Sequence, residues 1–168
     1  VLEVSAKNAP YFRTPEFSQV MLENERIMLG LLSAPRNSRC VFLTASGTGA
    51  MEAAVMSVLA PAERVAVVNG GSFGQRFVDL CQLHGHNVNE IKLEFGRQVT
   101  RKNLEDAVES GCGALLVNMH ETSSGLLYDM RLLSEFCRER EMLLIVDAVS
   151  AFIAEEIDMA ALGADVVL

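Results

Sequence analysis

"GALLVNMHE" (residues 113–121), "MRLLSEFCRERE" (130–141) and "MLLIVDAVS" (142–150) stand close together in the chain. The first and third are short runs of aliphatic side chains, apolar at nearly every position rather than at every second one. Strands of that kind are buried on both faces, as in a parallel sheet covered by helices. The middle segment has the spacing of an amphipathic helix and supplies the crossover that two parallel strands require.

The same alternation extends through the chain. "CVFLTAS" (40–46), "ERVAVVNGG" (63–71), "NVNEIKLEF" (87–95) and "ADVVL" (164–168) read as further strands. "GAMEAAVMSVLA" (49–60), "GQRFVDLCQLHG" (74–85), "RKNLEDAVES" (101–110) and "IDMAALG" (157–163) read as helices. Ahead of them, "TPEFSQVMLENERIMLGLL" (14–32) has Thr14 as N-cap and Pro15 at the first helical position. Its apolar residues Phe17, Val20, Met21, Ile27, Met28, Leu31 and Leu32 recur at helical spacing. The expected fold class is α/β, a mostly parallel sheet with helices on both faces. An N-terminal segment and helix (1–33) precede one larger domain (34–168). The chain stops inside an apolar strand, which a native terminus seldom does, so a portion of a longer protein is expected.

Composition narrows the function classes. The chain has 168 residues, half of them hydrophobic, enough for one domain with a sizeable core. A formal net charge of −8, with no stripe dense in Lys and Arg, argues against nucleic acid as a partner. No apolar run has the length of a membrane span and no signal-peptide core begins the chain, so a cytoplasmic protein is expected, without a membrane partner. Cys40, Cys81, Cys112 and Cys137 are scattered and form no C-x-x-C pair, so neither a zinc site nor a disulfide framework is indicated.

In a sheet of this kind ligands sit beyond the carboxyl ends of the strands, and four loops there stand out. "TASGTGAMEAA" (44–54) carries Ser46, Gly47, Thr48 and Gly49 into a helix. Small residues and a helix N-terminus suit a phosphate, although a plain strand-to-helix turn reads the same way. It is neither a Walker loop nor a complete G-x-G-x-x-G, because Glu52 stands where the third glycine belongs. "NGGSFGQR" (69–76) places Phe73 where it could stack on a heteroaromatic ring or simply cover the core. "NMHETSSG" (118–125) holds more hydrogen-bonding side chains than a turn needs. Within it Glu121 and Thr122 are the candidates for fixing a polar ligand, while a lone His120 suggests no metal. Finally, Asp147 ends an apolar strand, where a carboxylate is costly unless it meets a cation or several donors. A protonated pyridine nitrogen is such a cation; a cap on the following turn is the alternative.

A phosphate cradle, a stacking face, a hydroxyl loop and an acid are together what pyridoxal 5'-phosphate requires. "RTPEF", "SGTGAMEAA", "NGGSFGQR", "HETSSG" and "VDAVSAF" with "IDM…GADVV" occur in an order and spacing that resemble the class V, fold type I pyridoxal-phosphate aminotransferases. That group contains the serine– and alanine–glyoxylate and the 2-aminoethylphosphonate–pyruvate transaminases. The resemblance implies that Ser46, Gly47 and Thr48 hold the phosphate and that Phe73 stacks on the ring. Thr122 would lie near the phenolic oxygen, Asp147 would pair with the pyridine nitrogen, and Val149 would pack on the ring face opposite Phe73. Arg13 lies in an N-terminal loop that helps select substrate. An amino donor, a small 2-oxo acid acceptor and a homodimer are likewise implied.

One departure bears on activity. The Schiff-base lysine of such enzymes follows the acid by roughly two dozen residues, whereas Lys7, Lys92 and Lys102 all precede Asp147. The chain as given is therefore expected to be the N-terminal part of such an enzyme and inactive alone. Two other readings stay open: a lysine-less binding or regulatory homologue, and a nucleotide-binding domain of doubly wound type. Against the latter, no acid ends "ERVAVVNGG", where a ribose partner belongs.

Overall fold

The computed structural model describes residues 1–8, 10–108 and 111–168. In chain order the elements are α1 (Leu2–Ser5), α2 (Pro15–Leu31), α3 (Gly47–Val58), β1 (Arg64–Asn69), α4 (Ser72–Leu83), β2 (Asn87–Lys92) and α5 (Arg101–Ala107). They continue with β3 (Ala114–Asn118), β4 (His120–Glu121), β5 (Leu126–Leu127), α6 (Met130–Glu139), β6 (Leu143–Asp147), α7 (Met159–Leu162) and β7 (Val166–Val167). Five strands form one sheet in the order β2-β1-β3-β6-β7, with every neighbouring pair parallel.

The apolar runs become strands because each side of the sheet has a helical layer to bury against. Val65 and Val67 of β1, Ala114 and Leu116 of β3 and Ile145 of β6 face α3 and α4, packing on Met51, Val55, Phe77 and Cys81. The alternate residues Ala66, Val68, Leu115, Val117, Leu144 and Val146 face α5 and α6, against Leu104, Leu133, Phe136 and Cys137. Each fully buried Val, Leu or Ile among them stabilises the fold by about 1.5–3 kcal/mol, so no interior position of these strands is free to be polar. Strand order reverses between β1 and β3, since β2 lies on one side of β1 and every later strand of the sheet on the other. The crevice beyond the carboxyl ends at such a reversal is where ligands bind in open α/β sheets.

Local signals account for most boundaries. Thr14 caps α2 by accepting from Phe17 N at 3.3 Å, with Pro15 at the first position. Thr100 and Asn103 form a reciprocal capping box on α5. Asp158 caps α7, which ends at Gly163 in the left-handed conformation.

The structure also corrects several expectations. "CVFLTAS" is not a strand: residues 40–46 pair with none of the described strands, and Val41, Phe42 and Leu43 are exposed. The segment is tied to α2 instead, because Glu25 accepts from Arg39 Nε at 2.7 Å and from Cys40 N at 3.0 Å. "GALLVNMHE" is broken after Asn118, and His120 and Glu121 form a separate antiparallel ribbon with Leu126 and Leu127. The helix expected over 101–110 runs to Ala107; its expected last residues, Glu109 and Ser110, lie outside the described residues. α2 is helical as its spacing requires, yet none of its residues is buried. Among the described residues no helix is long and apolar enough to cross a membrane.

Candidate active site

The crevice at the carboxyl ends of β1, β3 and β6 holds a cavity of ≈ 180 Å³. Ser46, Gly47, Thr48, Met51, Phe73, Thr122, Asp147, Val149 and Ser150 line it. Seven of the eight residues to which the resemblance assigns a role toward cofactor or substrate thus meet at one place, drawn from four loops that are far apart in the chain. Arg13 is not among them; its guanidinium lies 5.0 Å from the ring centroid of Phe12.

The anion side is built by α3. Ser46 is extended and caps the helix, accepting from Gly49 N at 3.2 Å, which leaves the N–H groups of Gly47 and Thr48 without a partner inside the helix. Gly47 and Thr48 line the cavity, which places it at the positive end of the α3 dipole. Gly47 is needed for closeness: a Cβ there would stand 3.2 Å from Val149 Cγ2.

α4 also begins at the carboxyl end of the sheet, but its N-terminus is already occupied. The fully buried carboxylate of Glu121 accepts from Gly74 N at 3.0 Å, Phe73 N at 3.4 Å, Ser123 N at 3.2 Å and Ser123 Oγ at 2.6 Å. Ser123 Oγ in turn accepts from Ser72 N at 3.0 Å. Glu121 is thus not a ligand-fixing residue, as its sequence context suggested. It clasps the first turn of α4 and so fixes the helix that carries Phe73. Only glycine fits the approach: a Cβ on Gly71 would lie 2.6 Å from Glu121 Cδ, and one on Gly74 would lie 2.7 Å from Val68 O and from Asn69 Cα.

The acid side is built by adjacent strand ends. Asp147 and Asn118 are register partners at the ends of β6 and β3, and Asn118 Nδ2 donates to Asp147 Oδ2 at 2.6 Å. Asp147 Oδ1 accepts from Val149 N at 2.9 Å. Burial pushes the Asp147 carboxyl above its usual range; the Val149 and Asn118 hydrogen bonds oppose this, and the charge of Glu121 reinforces it. Among the described residues no Lys, Arg or His forms an ion pair with Asp147. The cap on the following turn therefore exists, through Val149 N, but it does not compensate the charge.

Thr122 Oγ1 and Ser150 Oγ are hydrogen-bonded to each other at 2.5 Å and close the side between the other two. Ser150, Met51 and Asn118 are the contributors that sequence reasoning left unassigned. For Asn118 a signal existed, since "ALLVN" and "LLIVD" put their first polar residue at the same offset. His120, which the sequence suggested to be structural, sits in the β4–β5 ribbon opposite Leu127 and does not line the cavity.

Comparison with known proteins places this arrangement. The class-V aminotransferase family model matches residues 5–168, and the chain belongs to that family. It is 33% identical over 167 residues to the soluble hydrogenase 42 kDa subunit of Anabaena cylindrica, covering 96% of this chain and 43% of that protein. Among solved structures it resembles the aspartate aminotransferase of Thermus thermophilus, with a TM-score of 0.88, 31% identity and coverage of 98% of this chain and 46% of the other. The alanine–glyoxylate aminotransferase of Nostoc sp. aligns with a TM-score of 0.89 at 27% identity, covering 98% and 44%. The chain therefore spans less than half the length of these relatives.

Proposed function

We propose that residues 34–168 are the cofactor-binding domain, and 1–33 an N-terminal segment, of a pyridoxal 5'-phosphate-dependent aminotransferase. It would move an amino group from an amino acid or aminophosphonate to a small 2-oxo acid, pyruvate or glyoxylate. The carrying observation is one cavity that joins an open helix N-terminus to a buried acid lacking a cationic partner, in a chain of the class-V aminotransferase family.

The residues present fit the cofactor. An anion would be held by the N–H groups of Gly47 and Thr48 with the hydroxyls of Ser46 and Thr48; α3 offers this site because Glu121 fills the equivalent end of α4. Asp147 would hold the proton on a pyridine nitrogen, which supplies the positive charge its buried carboxylate lacks. Phe73 and Val149 would take opposite faces of the ring, and Thr122 its phenolic oxygen. When bound, pyridoxal phosphate supplies an electron sink for negative charge developing at the substrate α-carbon. Lys7, Lys92 and Lys102 do not line the cavity, and neither does Arg13. Arg13 remains a candidate for substrate contact only through its place in the N-terminal loop.

The exposed apolar side chains of α2, namely Val20, Leu22, Ile27 and Leu31, support a homodimer, because a helix of this character gains by being covered. Cys40, Cys81, Cys112 and Cys137 form no disulfide among the described residues, which suits the reducing cytoplasm.

The test is to purify the protein as its gene encodes it, add pyridoxal phosphate, and pair serine, aspartate or 2-aminoethylphosphonate with pyruvate or glyoxylate, and alanine with glyoxylate. Formation of alanine or glycine that depends on the cofactor is the expected result. A product that binds pyridoxal phosphate no better than an unrelated acidic protein does would remove the assignment.

A further inference from the structure

Arg76, on the first turns of α4, has no part in the site as assigned so far. Its Nη1 donates to Thr48 Oγ1 at 2.6 Å, and its guanidinium carbon lies 5.3 Å from the ring centroid of Phe73. One exposed side chain thus touches both the phosphate cradle on α3 and the ring expected to stack on the cofactor. Among the described residues no carboxylate pairs with it. The acid one turn further on, Asp79, accepts instead from Gln75 Nε2 at 2.8 Å. Arg26, Arg39, Arg97, Arg101 and Arg131 sit against glutamates, whereas Arg138 and Arg140 donate to the carbonyls of Ala161 and Val108. What sets Arg76 apart is its place: a guanidinium with no carboxylate partner among the described residues, held by Thr48 beside the helix end that would receive an anion.

A threonine hydroxyl has one proton and two acceptor positions. When a guanidinium donates to the oxygen, the hydroxyl cannot give its proton back to that partner. The proton is left for another acceptor, and the charge behind the oxygen strengthens it as a donor. We propose that Arg76 is a positioning residue for the anion cradle: it orients and polarises the Thr48 hydroxyl toward a phosphate oxygen in the cavity and supplies the positive charge the cradle otherwise lacks. The inference rests on reading the cavity as the site of a phosphorylated pyridine.

Pyridoxamine 5'-phosphate and pyridoxamine differ only in the phosphate and form no imine with lysine, so they isolate the effect. Both are titrated calorimetrically into the protein as its gene encodes it, with Arg76→Gln, Arg76→Lys, Thr48→Val and the Arg76→Gln/Thr48→Val pair alongside. Arg76→Gln is expected to raise Kd for the phosphorylated ligand about tenfold while pyridoxamine stays within about twofold, the scale of one charge-assisted hydrogen bond. Arg76→Lys, which keeps the charge, recovers part of the loss. In the Thr48→Val background the Arg76→Gln step shrinks to about threefold or less, because the two act as one unit. Circular dichroism melts establish that every variant is folded. Equal weakening of both ligands, or an unchanged Kd in Arg76→Gln when the parent prefers the phosphorylated ligand, overturns the role of Arg76 alone. A parent protein with no preference for the phosphorylated ligand overturns the cofactor reading as well.

Discussion

Asn118 gives one hydrogen of its amide to Asp147 at 2.6 Å, while its own carbonyl oxygen, equally buried, finds no partner among the described residues. The pair is balanced for a charge that the protein does not itself neutralise. Because burial raises the folded-state pKa of Asp147 above its ordinary value of 3.8, the folded protein holds the proton more tightly than the unfolded chain. The contribution of this group to stability is therefore greatest below that value and is lost as pH rises through the folded-state pKa. Asp147→Asn should raise stability at pH 7 by about 1 kcal/mol, after discounting for solvent screening, since the amide can pair with a rotated Asn118. The gain should shrink as pH falls toward 4, in thermal melts followed by circular dichroism. The same variant should bind pyridoxamine 5'-phosphate about tenfold more weakly, one pKa-unit equivalent of lost charge pairing. A variant that melts below the parent at pH 7 contradicts the account.

Glu121→Gln tests the clasp on α4. The replacement puts an NH₂ group among four donors, so at least one bond becomes a donor–donor contact in a fully buried place. Urea unfolding should show a loss of about 2–3 kcal/mol, the cost of a charged hydrogen-bond acceptor removed from buried partners. A loss below about 0.5 kcal/mol, the range of ordinary surface substitutions, would mean that Glu121 does not secure α4.

Gly74→Ala exchanges a poor helix former for the best one, so propensity alone predicts stabilisation. The contact with Val68 O and Asn69 Cα, both backbone atoms, predicts the opposite. The expected outcome in the same urea titration is destabilisation by about 2 kcal/mol, from forcing α4 away from the end of β1. A more stable variant would show that the close approach is slack.

The proposed self-association through α2 predicts a concentration-dependent dimer in sedimentation equilibrium. Ile27→Glu, on an exposed apolar position, should weaken it by about tenfold or more, since a buried carboxylate without a partner opposes docking. An unaltered dimer would place the interface elsewhere.

What could be read in the sequence follows a physical division. The strands at 64–69, 114–118 and 143–147 were legible because both of their faces are buried, and a short, continuous apolar run between helical segments is what such burial demands. Phe73, Thr122, Asp147 and Val149 were legible because strand ends in a parallel sheet converge, and Ser46, Gly47 and Thr48 because small residues open a helix there, whereas Met51 and Ser150 carried no such signal. "CVFLTAS" failed because strand character needs a neighbour to pair with, and residues 40–46 lie against α2 through Glu25 rather than beside a described strand. The role of Glu121 was hidden for the same kind of reason: beside the nearby Ser123, its partners are the N–H groups of Phe73 and Gly74, which reach it only once α4 has formed and which nothing near residue 121 announces.

That clasp has a kinetic side. Glu121 and Gly74 are 47 residues apart in the chain, and closing a loop of that length costs about 3.4 kcal/mol of chain entropy beyond the constant term. In its native geometry the bond needs both the α4 turn and the β4–β5 ribbon, so it is expected to form late. Substitutions at Glu121 should accordingly speed unfolding far more than they slow folding. The ring-bearing edge of the cavity is then among the last parts of this domain to be assembled, and among the first to be released.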